Sequence, residues 1–112
     1  MSRHNVARLR HMLDAAREAV ELAAGKSQQN IESERMLGLS LVRLLEVVGE
    51  AARHVPPEEQ AKYPAIPWAK IIGMRNRLIH GYDSIDFAIL YATVTEDLPR
   101  LISELEKILS PG

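Results

Sequence analysis

Apolar residues recur at steps of three and four along most of this chain, and that spacing constrains the fold more than any other feature. An α-helix turns once in about 3.6 residues, so such steps place the apolar side chains along one face of a helix. The first such stretch runs from Asn5 to Ala24. Its apolar positions are Val6, Leu9, Leu13, Ala16, Val20 and Ala23. Gly25 follows where a helix commonly ends in the left-handed conformation, so we predict a long amphipathic helix that ends there.

A second helical pattern begins near Asn30, a good capping residue, and continues to Ala52 before the Pro-Pro pair at 56–57 stops it. Gly38 and Gly49 lie inside this predicted helix, where each costs about 1 kcal/mol relative to alanine. We therefore expect both glycines to allow the backbone of another segment to approach closely.

The second half of the chain predicts two further long helices. Residues 57–60 suit one short helical turn, and a third helix should begin at Pro67 and end near Gly81. A last helix should begin at about Asp86, with Pro99 kinking or restarting it. No strand pattern is visible. The fold class is therefore predicted as all-α, an antiparallel helical bundle of about four long helices plus a short extra helix.

The composition limits the classes of protein that fit. A chain of 112 residues with 46% hydrophobic residues suits one domain over residues 1–112. Its formal net charge of −1 provides no global basic field, so any nucleic-acid contact must be local. Cysteine is absent, which excludes disulfides and thiolate metal sites. The chain shows no signal peptide or membrane-spanning run, so we expect a soluble, cytoplasmic protein that does not contact a membrane.

One window concentrates polar residues that can do chemistry. They are Arg75, Asn76, Arg77, His80 and Tyr82. A histidine exchanges protons near neutral pH, and an arginine binds a phosphate and neutralises charge that grows on it. RNA brings its own nucleophile, the 2′-hydroxyl, so a metal-free nuclease needs only a group that moves protons and a cation. We assign the first role to His80 and the second to Arg75.

The histidines of the chain do not suggest a metal site. They are His4, His11, His54 and His80. They are scattered, form no helical His-x-x-x-His pair and have no carboxylate cluster beside them in the sequence. We therefore expect neither a metal nor another cofactor.

Arg75 and His80 are five residues apart, so on a continuous helix they would project about 140° from each other. One such helix makes a poor active site by itself. Two copies related by a two-fold axis would bring both arginines and both histidines into one cleft. We therefore predict a homodimer with a composite site at its interface.

The window Arg75 to Tyr82 resembles the signature of the HepT-like toxins, which belong to the HEPN superfamily. That signature is an arginine, four residues, a histidine, one residue and a tyrosine, and here it is met by Arg75, His80 and Tyr82. Asn76 matches the small polar residue that follows the arginine in these ribonucleases. Residues 44–52 resemble the family's second-helix segment with its Gly-Glu-Ala sequence. Residues 66–68 and 73–76 resemble the approach to its catalytic helix.

The resemblance implies a metal-independent endoribonuclease toxin of a type VII-like toxin–antitoxin pair, active as a homodimer. Arg75 and His80 would be catalytic, with Asn76 in support. The implied partner is a small MNT-type nucleotidyltransferase antitoxin that uses ATP to attach adenylate to the motif tyrosine, which is Tyr82 here. Such a modification would add bulk and negative charge close to His80 and oppose RNA phosphate.

Each candidate residue also has a structural interpretation. Arg75 and Arg77 suit surface charges, His80 suits the last turn of a helix, where a cation is favourable, and Tyr82 suits a half-buried aromatic position. Glu50 either orients a site residue or takes part in a hydrogen bond between helices. The alternative for the whole chain is a non-catalytic helical module that binds a nucleotide or serves as the partner of a nucleotidyltransferase.

Overall fold

Helices form nearly all of the regular structure of the chain, which a computed structural model describes over residues 1–80 and 84–110. In chain order the elements are α1 (Arg3–Ala23), α2 (Gln28–Ser33), α3 (Arg35–Arg53), α4 (Pro57–Gln60), α5 (Trp68–Ile72), α6 (Met74–Leu78), β1 (Ile79–His80), β2 (Ser84–Ile85), α7 (Phe87–Ala92), a π-helical turn (Thr93–Asp97) and α8 (Leu98–Leu109). The predicted all-α class and antiparallel bundle are confirmed. No helix in the described ranges is long and apolar enough to cross a membrane.

The core forms around α1, which packs along both α3 and α8. Leu9 and Met12 are completely buried, and so are Ala16 and Ala19, whose small side chains allow the neighbouring helices to come close. Burying a leucine or methionine side chain contributes about 1.5–3 kcal/mol. The first predicted helix is confirmed, and Gly25 follows it with φ +75 as expected.

The segment predicted as one helix from Asn30 to Ala52 is two helices, so that prediction was wrong. The Ser27 hydroxyl accepts a hydrogen bond from the Asn30 N–H at 3.1 Å, and the Asn30 side chain accepts one from the Ser27 N–H at 2.9 Å. This reciprocal pair caps α2, so Asn30 is its third residue and not its cap. Glu34, with φ −95 and ψ 90, then separates α2 from α3.

Gly38 and Gly49 explain how neighbouring segments lie so close to α3. A Cβ atom at Gly38 would stand 3.2 Å from the carbonyl oxygen of the fully buried Ile31, so α2 can fold back only because Gly38 has none. A Cβ atom at Gly49 would stand 3.1 Å from the carbonyl oxygen of Ile71 on α5. The predicted close approach is confirmed at both positions.

The third predicted helix, from Pro67 to near Gly81, was wrong in its length. Gly73 divides it into α5 and α6, and α6 ends at Leu78. The end predicted near Gly81 falls outside the described residues. Gly73 closes α5 through hydrogen bonds from its N–H to the last turn and has nearly zero ψ, which ends the regular helix.

A short antiparallel strand pair follows α6, although the sequence shows no strand pattern. Ile79 pairs with Ile85, and His80 pairs with Ser84. Asp86 follows Ile85, and its N–H donates to the carbonyl oxygen of Leu78 at 2.8 Å, which extends the pairing. Strands of two residues are too short to show apolar and polar alternation, so the pattern could not reveal them.

The C-terminal helical segment begins at Asp86, as predicted, with its carboxylate accepting from the Ile89 N–H at 3.0 Å. Pro99 lies in the first turn of α8, directly after the π-helical turn. Proline has no N–H and crowds the carbonyl group one turn earlier, and a wider turn relieves that crowding. The sequence predicted a kink or a restart at Pro99, and the structure instead has a continuous helical backbone with one wider turn just before the proline.

Candidate functional site

Arg75 lies on α6, and a carboxylate from α3 holds its guanidinium group. The Nε atom donates to Glu46 Oε2 at 2.8 Å. The arginine side chain is 61% exposed and the Glu46 side chain only 27%, so the acid lies beneath a cation that faces solvent. A guanidinium group has five N–H donors and this bond uses one, so Arg75 can still bind a phosphate.

Gly49 allows the contact between Arg75 and Glu46 to form. It lies almost one helical turn after Glu46, at the point where the backbone of α5 meets α3. Because α6 follows α5 directly, the same approach brings Arg75 to the side of α3 that carries Glu46. The orientation of Arg75 therefore depends on the packing of two helices, and not on its own helix alone.

His80 lies on β1, and its side chain is 62% exposed. Its Nε2 atom is 3.6 Å from Asp86 Oδ2, a distance that fits an ion pair when the ring is protonated but is too long for a hydrogen bond. The other carboxylate oxygen, Oδ1, caps α7. Asp86 is thus fixed by a helix and by the strand pairing, and it stands beside the imidazole.

The backbone leaves the helical path before it reaches His80. The angle of about 140° expected on a continuous helix therefore does not apply, because α6 ends at Leu78. The structural interpretation of His80 as a residue in the last turn of a helix is wrong for the same reason. The strand directs His80 toward the start of α7, while Arg75 is directed toward α3.

The remaining residues of the window have different surroundings. Asn76 is exposed on α6 next to Arg75. Arg77 is half-buried and donates to the Lys70 carbonyl oxygen at 3.1 Å, which ties α6 to α5 and supports its structural interpretation. Tyr82 lies outside the described residues. Over residues 1–80 and 84–110, no three His, Asp or Glu side chains are grouped closely enough to hold a metal ion.

Glu50 makes its contacts within and just beyond its own helix. Its carboxylate accepts from Arg53 at 3.1 Å and lies 3.7 Å from Nδ1 of His54, the residue directly after α3. Glu46, one turn earlier, contacts Arg75 instead. Sequence reasoning missed Glu46, and its position three residues before Gly49 was the one signal that it lies near the approaching helix.

Arg75 and His80 lie on an open surface rather than in a cavity. A cavity of about 630 Å³ lies elsewhere, between α5, the π-helical turn and α8, and the ion pair of Lys70 with Asp97 at 3.3 Å is part of its lining. Neither Arg75 nor His80 lines it. An exposed cation and an exposed imidazole on adjoining elements suit a polymeric, phosphate-containing substrate better than a small enclosed molecule.

A family described as "Ribonuclease HepT-like" matches residues 12–108. The matched range contains Arg75 and His80, and also Glu46 and Asp86.

Similar proteins from three organisms cover much or nearly all of the chain. "Putative RNase MJ1380" of Methanocaldococcus jannaschii is 34% identical over 95% of this chain and 98% of its own length. The similarly named RNase TTE0752 of Caldanaerobacter subterraneus subsp. tengcongensis is 33% identical over 90% of each chain. "Probable ribonuclease HepT" of Thermococcus cleftensis is 39% identical over 62% of this chain and 63% of its own. No solved structure matches the chain.

Proposed function

The chain belongs to the HepT-like ribonuclease family of the HEPN superfamily, and on that premise we propose that it is a metal-independent endoribonuclease whose reacting groups are Arg75 and His80. One observation carries the proposal. Both side chains reach solvent on adjoining elements, and each stands beside a carboxylate that another part of the fold supplies. Such support is what keeps catalytic groups in a productive orientation.

The proposed reaction is an internal transesterification of RNA. The 2′-hydroxyl oxygen attacks the adjacent phosphorus, and the new O2′–P bond forms as the P–O5′ bond breaks. The products are a 2′,3′-cyclic phosphate and a free 5′-hydroxyl. His80 in its neutral form accepts the proton of the 2′-hydroxyl, while a protonated imidazole donates a proton to the departing O5′. Arg75 binds the non-bridging oxygens, where negative charge grows, and Asn76 supports it with an amide donor.

The two proton transfers support a homodimer. A single imidazole cannot be neutral and protonated at the same moment, so His80 of one copy cannot be both the base and the acid. A second copy related by a two-fold axis supplies the second histidine and a second arginine. We therefore include in the proposal a composite site formed by two copies.

Cleavage by the purified chain tests the activity. With EDTA at neutral pH, the wild type should cut single-stranded RNA and leave a 2′,3′-cyclic phosphate. His80→Ala should lose about 10²–10⁴-fold in rate, because a general acid or base contributes that much. His54→Ala, which removes another exposed histidine, should cut normally. All variants should keep the helical circular dichroism of the wild type. If wild type and His80→Ala leave RNA equally intact, the chain is the non-catalytic helical module considered as the alternative.

Regulation by adenylylation is the second part of the proposal, with an MNT-type nucleotidyltransferase as the antitoxin. The Tyr82 hydroxyl oxygen attacks the α-phosphorus of ATP, the bond to pyrophosphate breaks, and a base on the transferase takes the phenolic proton. The closeness of Tyr82 to His80 in the sequence supports this assignment. A phosphate attached there repels the phosphates of RNA and blocks the surface beside the histidine.

Intact mass measurements test the modification. Co-expression with an MNT-type nucleotidyltransferase should raise the mass by one or more adenylates and abolish RNA cleavage. Tyr82→Phe should keep both the unmodified mass and the cleavage, while Tyr91→Phe, a matched tyrosine variant, should still be modified. A mass increase that persists in Tyr82→Phe would place the adenylate elsewhere.

A further inference from the structure

α1 carries its charged residues in two blocks. The first 13 residues contain three arginines and no acid, so this segment has a formal charge of +3. Because the formal net charge of the whole chain is −1, residues 14–112 have a formal charge of −4. The positive block comprises Arg3, His4, Arg8, Arg10 and His11, and we call it the α1 basic block. The acids Asp14, Glu18 and Glu21 follow on the second half of the helix.

This order is opposite to the order that stabilises a helix. The aligned peptide dipoles favour acids in the first turn and bases in the last turn. α1 has no acid in its first turn and no base in its last turn, and Arg3 and Glu21 lie at the two unfavourable ends. Residues that break a local rule of stability without a compensating contact are commonly functional. The α1 basic block is therefore a candidate for a role other than folding.

Two of the three arginines of this block, Arg3 and Arg10, are available to a partner. Arg3 and Arg10 are exposed, and no ion pair within the described part of the chain includes either of them. Arg17, on the same helix, is instead held by Glu106 of α8 at 2.6 Å. The block thus presents positive charge that the chain itself does not neutralise over residues 1–80 and 84–110.

The block and Arg75 lie on different faces of the bundle. Arg3, Arg10 and Arg17 recur at seven-residue steps and so share one face of α1, and Arg10 and Arg17 line a groove with Glu106, Leu109 and Ser110 at the end of α8. Arg75 instead lies between α6 and α3, where it contacts Glu46. Only an RNA strand long enough to pass from one face to the other contacts both.

We propose that the α1 basic block binds the phosphate backbone of RNA outside the cleavage site. The choice of RNA as the polyanion rests on the proposed function. Contacts from arginine to phosphate carry affinity and depend on salt, whereas they carry no base specificity. The block holds long substrates on the enzyme and takes no part in the proton transfers at His80.

Binding measured without cleavage gives the first test. In the His80→Ala variant, fluorescence anisotropy measures the affinity for a single-stranded RNA that is longer than the protein, whose longest dimension is 42 Å. Adding Arg3→Ala with Arg10→Ala should weaken binding about tenfold at low salt. The slope of log K against log salt should become shallower by about 1.4, at 0.7 for each lost phosphate contact. Arg35→Ala with Arg100→Ala removes two exposed arginines from the starts of α3 and α8, and should change both quantities far less.

Cleavage of two substrates separates this proposal from the proposed function. On an otherwise wild-type chain, Arg3→Ala with Arg10→Ala should lower kcat/KM on the long RNA and leave cleavage of a dinucleotide unchanged, because a dinucleotide is too short to reach α1. A wild type that cuts neither substrate removes the nuclease proposal, and the anisotropy result still decides RNA binding. Unchanged affinity and salt slope overturn the proposal. A loss of dimer in light scattering with unchanged RNA affinity also overturns it, because the block would then pair with the acids on α1 of a second copy.

Discussion

Asp86 is the residue where folding and chemistry meet most directly, since one carboxylate oxygen caps α7 and the other stands beside His80. Two substitutions separate these roles. Asp86→Ser keeps a capping oxygen, so its free energy of unfolding should stay within a few tenths of a kcal/mol, while Asp86→Ala should lose about 1 kcal/mol. Both should cut RNA more slowly. Urea unfolding and cleavage rates measured together check this, and an Asp86→Ser variant with the wild-type rate would show that the carboxylate does not assist His80.

Glu46 should act as a positioning residue for Arg75. Glu46→Ala should lower kcat by up to about 10²-fold, because small displacements of a catalytic group cost that much. The unfolding free energy should change by less than about 1 kcal/mol, as is usual for an exposed ion pair. Glu46→Gln should recover much of the rate, since its amide oxygen can still accept from the arginine Nε. Glu50→Ala is the matched control, and a similar loss of kcat in that variant would contradict the assignment.

For single residues, the sequence indicated the candidate site residues but not the acids that contact them. Arg75 and His80 stand out because their side chains suit phosphate chemistry and lie close together in the chain. Glu46 is 29 residues from Arg75, and their contact depends on how α6 packs on α3. Asp86 was predicted only as the start of a helix, because the strand pairing that places it beside His80 is too short to leave a pattern.

Among the elements, the contact between α3 and α5 controls the position of α6 and of Arg75 on it. Gly49→Ala should lower the free energy of unfolding by about 1–3 kcal/mol, because its new methyl group would press on the backbone carbonyl of Ile71 at 3.1 Å. RNA cleavage should fall as well, since α6 moves with α5. Urea unfolding measures the first effect. An unfolding midpoint in urea equal to that of the wild type would show that α3 and α5 can move apart without loss of stability.

The charges of α1 predict a second effect, with opposite signs for stability and binding. Arg3→Ala should raise the free energy of unfolding by about 0.3–1 kcal/mol, because it removes a cation from the positive end of the helix dipole. The same change should weaken RNA binding. Thermal unfolding at low salt measures the first quantity, and the gain should shrink at high salt. A loss of stability would show that Arg3 makes a favourable contact within the fold.

The helical class could be predicted from the apolar spacing, whereas the helix breaks could not. The apolar spacing continues across Glu34 and Gly73 without interruption. The helices on the two sides of each break bury apolar residues in the same core. Tertiary contacts decide these breaks. The carbonyl oxygens of Ile31 and Ile71 approach α3 at its two glycines, and a periodic pattern records only which face of a helix is apolar.

For the whole molecule, a composite site predicts that activity depends on protein concentration. Specific activity should stay constant at high concentration and fall on dilution, because separation of the copies removes the second histidine from each site. Light scattering over the same range should show the mass of a dimer changing to that of a single chain. A homogeneous single chain with full activity would remove the composite site and leave the proton donor to be found elsewhere.

The π-helical turn at Thr93–Asp97 holds one residue more than an ordinary α-helical turn would. Each residue of a helix adds about 100° of rotation, so this extra residue sets how α7 is turned relative to α8. α8 is anchored on α1, and α7 begins at the acid beside His80. Deletion of one residue here would leave both helices able to form, but it would rotate α7 relative to α8 and so work against the strand pairing that keeps Asp86 beside His80. Such a deletion should therefore yield folded protein that cuts RNA more slowly than the wild type.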